Sequence, residues 1–210
     1  MELVRYIFHG ICHQEAGRAL ASANCAMPVC SRCAGLYVGF FLALPFFFVF
    51  ARLGRRAKTG VFLVAAIVAA AAWGGDGLGN FAGLWETPNA VRFFTGVMLG
   101  LFLSPFVASL FGETVGGEIR TDSKPGWRTV GILFLAGALA TAGNIYPATA
   151  YLVLESWAAA AGLVMLLAVV HAALALLVLR TRPAAAAGVA AITVPGQLVL
   201  LSSLRSVLGL

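Results

Sequence analysis

Within its first 33 residues the chain places Cys12, His13, Cys25, Cys30 and Cys33, the side chains that thiophilic metals and redox thiols both use. The order is C-H-Q at 12–14 and then P-V-C-S-R-C at 28–33, a CxxC joined to an upstream Cys-His pair. Cys12, His13, Cys30 and Cys33 would make a tetrahedral site for a metal ion, zinc first and iron second. Adjacent residues seldom point the same way, so His9, three residues before Cys12 on a helical face, rivals His13, and Cys25 is a substitute thiol. Two other readings stay open. Thiols outside the cytoplasm tend to form structural disulfides, and a CxxC at a helix N-terminus beside Arg32 would have the lowered thiol pKa of a redox pair.

A second polar cluster runs W-G-G-D-G-L-G-N at 73–80 and G-L-W-E-T-P-N-A-V-R at 83–92. Counted from Lys58, a span of about 20 residues ends near residue 80, which puts Asp76 about 6 Å inside the hydrocarbon. A carboxylate there needs a partner or a wet cavity. Arg92 is the nearest opposite charge in this topology, so Asp76 and Arg92 are expected to pair and are the catalytic candidates: Asp76 as base or metal ligand, Arg92 as the anchor of a phosphate or carboxylate. Gln14, Asn80 and Asn89 would line the substrate pocket, Asn89 also serving as an N-cap. The plainer reading makes these capping and loop groups. His171, deep in a later apolar run, is a further ionisable candidate or simply a neutral, hydrogen-bonded histidine. There is no P-loop, dinucleotide glycine motif, HExxH or GxSxG.

The elements that must hold these groups are membrane helices. A hydrophobic share of 61% with 10% charged residues lies far from soluble domains, where about a quarter of residues are charged. The fold class is all-α, a polytopic bundle, and 210 residues allow about six spans in a single membrane domain over 1–210. Apolar runs place the spans at 35–53, 60–75, 91–111, 128–145, 157–179 and 184–204. Residues 1–34 form the Cys/His segment, 35–111 a three-helix core bearing the motifs, and 112–210 three further spans. Leu3, Tyr6, Ile7 and Ile11 predict an interfacial amphipathic helix, and the N-terminus lacks the pattern of a cleavable signal. Asn144, Tyr146 and Pro147 end the fourth span, while Pro195 predicts a kinked or re-entrant sixth. Gly35 with Gly39, and Gly96 with Gly100, are small-xxx-small pairs. If they pack together, Cys30 and Cys33 come beside Asn89 and Arg92.

The net charge of +6 follows loops rather than a nucleic-acid surface. Arg52, Arg55, Arg56, Lys58, Arg120, Lys124, Arg128, Arg180 and Arg182 fall between spans on one side, predicting cytoplasmic loops there and a cell-membrane protein with an extracytoplasmic cysteine segment. The implied partners are the lipid bilayer and a lipid or small-molecule ligand, with no nucleic acid. The function classes consistent with this are metal-assisted chemistry on an amphiphilic or phosphate-bearing substrate, thiol-disulfide exchange through Cys30 and Cys33, and transport or sensing of a small solute or metal.

Taken in order, C-H-Q, P-V-C-S-R-C-A-G-L-Y, D-G and N-x-x-R-x-x-T-G resemble domain-of-unknown-function family 2085, small prokaryotic integral membrane proteins. The resemblance covers about residues 9 to 100. It implies a membrane protein, brings no activity, and highlights Cys12, His13, Gln14, Cys30, Cys33, Asp76, Asn89, Arg92 and Gly96. The family usually has Gln where this chain has Asn80, and commonly Arg where it has Trp85.

The charge distribution makes orientation testable. An impermeant thiol reagent should reach Cys25 in intact cells, and an impermeant amine reagent should label Lys58 only after lysis. Labelling of Lys58 from outside would reverse the topology.

Overall fold

The computed structural model describes residues 2–12, 16–22, 25–52, 59–114, 127–144, 148–179 and 183–208. His13, Gln14, Tyr146, Pro147 and most of the basic loop residues lie outside them. Among the described residues the helices are α1 Glu2–His9, α2 Ser31–Arg52, α3 Thr59–Phe81, α4 Asn89–Thr114, α5 Trp127–Ala142, α6 Thr149–Leu179 and α7 Pro183–Leu208. Between α1 and α2 stand a 3-10 turn at Ala16–Arg18 and a small antiparallel hairpin, β1 Ala21–Ser22 with β2 Cys25–Ala26. Val61–Phe81, Thr149–Leu176 and Ala184–Leu208 are long and apolar enough to cross a membrane, and Ser31–Leu44 and Val130–Ala142 are shorter apolar stretches. Exposed Val64, Ile67 and Val68 on α3, and Ile192 on α7, form the kind of apolar exterior that lipid solvates.

The closest helix packing is α2 against α4, and glycine is its cause. A Cβ at Gly35 or Gly39 would collide with the Phe93 or Val97 carbonyl oxygen. One at Gly96 or Gly100 would collide with that of Arg32 or Leu36. The two small-xxx-small pairs therefore interlock backbone to backbone, as their spacing predicts. Gly162 of α6 meets the Tyr37 carbonyl on another face of α2 in the same way. Around this crossing pack the buried Phe8, Val29, Phe40, Phe93 and Val97, and the Phe8 and Tyr37 rings stack with centroids 5.8 Å apart.

Three boundaries differ from the sequence-based expectation. Residues 76–81 are helical rather than loop, because Asn80 Nδ2 donates to the Asp76 carbonyl oxygen at 2.8 Å and to Asp76 Oδ1 at 3.0 Å, which supports the glycine-rich last turns. The helix then stops at Gly83, whose φ of 68° is a left-handed conformation open to glycine. Leu84 N–H donates to the Gly79 carbonyl at 2.9 Å and Gly83 N–H to that of Asn80 at 3.3 Å, the paired bonds of a Schellman stop. The fifth long helix begins at Thr149 instead of near 157, since Glu155 is paired with Asn144 (3.0 Å) and does not interrupt it. Finally, α7 runs through Pro195 as one helix.

The first helix is amphipathic, but its buried stripe is Val4 and Phe8, while Leu3 and Tyr6 face outward. Packing of α1 on α6 and α7 selects the i, i+4 pair.

The glycine crossing yields a direct test. Gly96→Ala should destabilise the protein by about 1–3 kcal/mol, the usual cost of overpacking. Gly188→Ala, where a Cβ meets nothing within 4 Å, should be neutral or stabilising by up to about 1 kcal/mol. Equal melting temperatures in one detergent for both variants would mean that α2 and α4 do not cross at these glycines.

Candidate thiol and arginine site

Chain direction brings the N-terminal ends of α2, α4 and α6 and the C-terminal ends of α3, α5 and α7 to one face of the bundle, and the cysteine segment lies across it. Cys12 follows α1, Cys30 immediately precedes α2, and Cys33 is in its first turn. The three sulfurs lie within 4.8 Å of one another. Several bonds fix that geometry. Cys30 N–H donates to Cys12 Sγ at 3.3 Å, Ser31 Oγ donates to the Arg18 carbonyl at 2.8 Å, and Arg205 of α7 donates to the carbonyl oxygens of His9 and Cys12. Cys12 is buried, Cys30 and Cys33 half-buried. All four cysteines are free thiols. The Cys30 thiol is pushed up from its ordinary value, chiefly by its hydrogen bond with Cys12, with Cys33 acting the other way and burial adding to the rise.

The rival ligands stand apart from this group. His9 Nδ1 faces Ser202 Oγ at 3.4 Å, because α1 ends at His9 and the chain turns before Cys12. Cys25 sits in β2, its Sγ near the Ala26 carbonyl oxygen at 3.9 Å.

Behind the thiols lies a charged network. Arg32 Nε donates to Asp76 Oδ2 at 2.6 Å, and its Nη2 approaches the same oxygen at 2.5 Å. Asp76 Oδ1 accepts from Asn80 and from the Thr87 hydroxyl. The partner of Asp76 is thus Arg32, not Arg92. The α2–α4 crossing carries Arg32, the third residue of C-S-R-C, over the last turns of α3, beside Gly77. Arg92 instead donates to Asn80 Oδ1 at 2.6 Å and to Asn89 Oδ1 at 3.4 Å. It is 9% exposed, and its Nε has no partner among the described residues. Asn89 does not cap α4: its Nδ2 donates to the Gly17 and Ala19 carbonyls at 3.3 and 3.0 Å, tying the N-terminal segment to that helix. His171 Nδ1 pairs with the Leu167 carbonyl oxygen at 2.8 Å, one turn back on α6.

A cavity of about 160 Å³ joins the two halves, lined by Ile11, Cys12, Arg18, Cys30, Arg32, Cys33 and Arg92. Cys12, Cys30, Cys33 and Arg92 share it, whereas Asp76, Asn80 and Asn89 are outside its lining. Sequence reasoning did not find Arg18, Arg205 or Thr87. Arg18 stands between the two cysteine motifs but in neither, Arg205 is far from both in sequence, and Thr87 lies within the second polar cluster at 83–92 with nothing local to mark Asp76 and Asn80 as its partners.

The family described as "Predicted membrane protein (DUF2085)" matches residues 12–106, from Cys12 through most of α4. An uncharacterized protein of Methanothermobacter thermautotrophicus is 32% identical over 97 residues, 46% of this chain and 84% of that protein. This chain belongs to the DUF2085 family. A second relative, an uncharacterized protein of Methanocaldococcus jannaschii, is 27% identical over 110 residues, covering 52% of this chain and 69% of its own length. No solved structure matches. The family portion of the DUF2085 protein thus contains the three grouped cysteines, the Arg32–Asp76 pair and the glycine crossing, while α5, α6 and α7 lie beyond it.

The ion pair is testable by a double-mutant cycle. Asp76→Asn and Arg32→Gln should each lower thermal stability, and together they should lose less than the sum, with a coupling of about 0.5–3 kcal/mol. Strict additivity would separate the two side chains.

Proposed function

We propose that this DUF2085 protein is a multi-pass cell-membrane protein of about six spans whose Cys12, Cys30 and Cys33 bind a thiophilic metal ion at the extracytoplasmic face. The carrying observation is the approach of three sulfurs to within 4.8 Å. Thiolates at about 2.3 Å from a tetrahedral zinc stand about 3.8 Å apart, so the group closes on an ion with only small movements. The backbone N–H aimed at Cys12 Sγ is the outer bond that orients and stabilises a metal thiolate. Zinc suits the donors, and iron is the second choice. His13, directly after Cys12 in sequence, is the candidate for the fourth position, which is otherwise left to solvent or substrate.

The lining of the cavity supports the same reading. One divalent ion with three thiolates carries a net charge of −1, and among the arginines lining the cavity the buried Arg92, held by amide oxygens rather than a carboxylate, supplies a compensating cation that would otherwise be costly to bury. With an open fourth position, a bound metal supplies a Lewis acid or an activated water. The arginines would hold the phosphate or carboxylate of an amphiphilic substrate against it. Asp76, with both oxygens engaged, serves in this arrangement to hold Arg32, while Asn80 holds Arg92 and Asn89 the segment around Gly17.

Protein purified without oxygen should contain near-stoichiometric zinc or iron by elemental analysis, and Cys30→Ser with Cys33→Ser should lose it while still eluting as a folded protein. Metal-free wild type with two thiols consistently oxidised would replace the metal site by a disulfide.

A further inference from the structure

A second polar constellation lies outside the family portion, where α5 ends and α6 begins. Glu155 and Asn144 are 5% and 4% exposed, and Asn144 Nδ2 donates to Glu155 Oε1 at 3.0 Å. The remaining oxygens, Glu155 Oε2 and Asn144 Oδ1, are both buried and have no hydrogen-bond partner among the described residues. The other donor contact of the amide goes to the Ala140 carbonyl at 3.5 Å. The Tyr151 hydroxyl lies within hydrogen-bonding reach of the Glu155 carboxyl, but its one proton goes to the Ala140 carbonyl at 2.9 Å. Although α2 and α7 pack along α6, the described residues place no arginine, lysine or histidine in an ion pair with Glu155.

Depth sharpens the problem. Thr149, at the start of α6, meets Ser22 Oγ of the hairpin at 3.1 Å, so this helix end is level with the cysteine segment. Glu155 lies six residues further along, about 9 Å at 1.5 Å per residue. An ionised carboxylate with no counter-charge among the described residues is expensive at that depth of an apolar helix, and a second orphan acceptor beside it adds to the cost. Two acceptors without a donor are what a cation satisfies.

We infer that Glu155 and Asn144 form a binding site for one monovalent cation, either a proton carried by the Glu155 carboxyl or a small alkali ion held on its free oxygen. A proton turns Oε2 into a donor and removes the charge. An alkali ion leaves the carboxylate ionised and draws on oxygen ligands, the type that hard cations prefer. The site is independent of the thiol group.

Infrared spectroscopy of the full chain in detergent, at neutral pH and without sodium, tests it. A protonated-carboxyl C=O band that shifts in heavy water and disappears in Glu155→Gln assigns a proton if sodium leaves it unchanged. If sodium abolishes the band, and sodium chloride but not choline chloride raises the melting temperature of wild type and not of Glu155→Gln, the ligand is the alkali ion. Gln preserves shape and carries its own N–H, so this variant should fold. Should it not, pH titration of the wild-type band, with and without sodium, decides the same question. An ionised carboxylate at neutral pH that is indifferent to sodium overturns the inference.

Discussion

Contact between two bare backbones, α2 on α4, is the constraint from which the rest follows. Gly35, Gly39, Gly96 and Gly100 meet carbonyl oxygens of the facing helix where any side chain would collide. In a bilayer, where lipid tails are as apolar as leucine, such close packing is itself a main source of helix association. Here it also sets register. Cys33 and Arg32 lie one turn or less before Gly35, and Arg92 one turn before Gly96, so locking the glycines places thiols and guanidiniums at one level.

That placement concentrates charge at one end of the bundle. Arg32 is neutralised directly by Asp76, whereas Arg92 is held by the amide oxygens of Asn80 and Asn89 and makes no ion pair with Asp76 among the described residues. Amide oxygens orient a guanidinium without cancelling its charge. The cavity therefore keeps a positive surplus, which favours anionic occupants, a metal–thiolate among them.

The membrane helices were legible because long apolar runs have few alternative structures, and the four interlocking glycines were legible from spacing alone. The grouping of Cys12, Cys30 and Cys33 followed from residue type. What escaped was the choice among similar partners. Arg92 and Arg32 were both on the correct side of the bundle, and deciding between them for Asp76 required the register of α2 over α3. Asn89 has the composition of a cap but spends its amide on a segment 72 residues earlier, a tertiary demand that local propensity does not encode. The helical continuation through Gly77 and Gly79 likewise depends on Asn80 bonding back to Asp76, which overrides the loop tendency of glycine.

The bond from Arg205 to the Cys12 carbonyl spans 193 positions. The cysteine loop leaves the ribosome long before α7, so during synthesis Cys12 waits for the intervening helices before its carbonyl is pinned. Until then Cys12 is free of its anchor while Cys30 and Cys33 already share a helix end. The position of Cys12 is thereby coupled to the last helix described, whereas Cys30 and Cys33 are set by the start of α2.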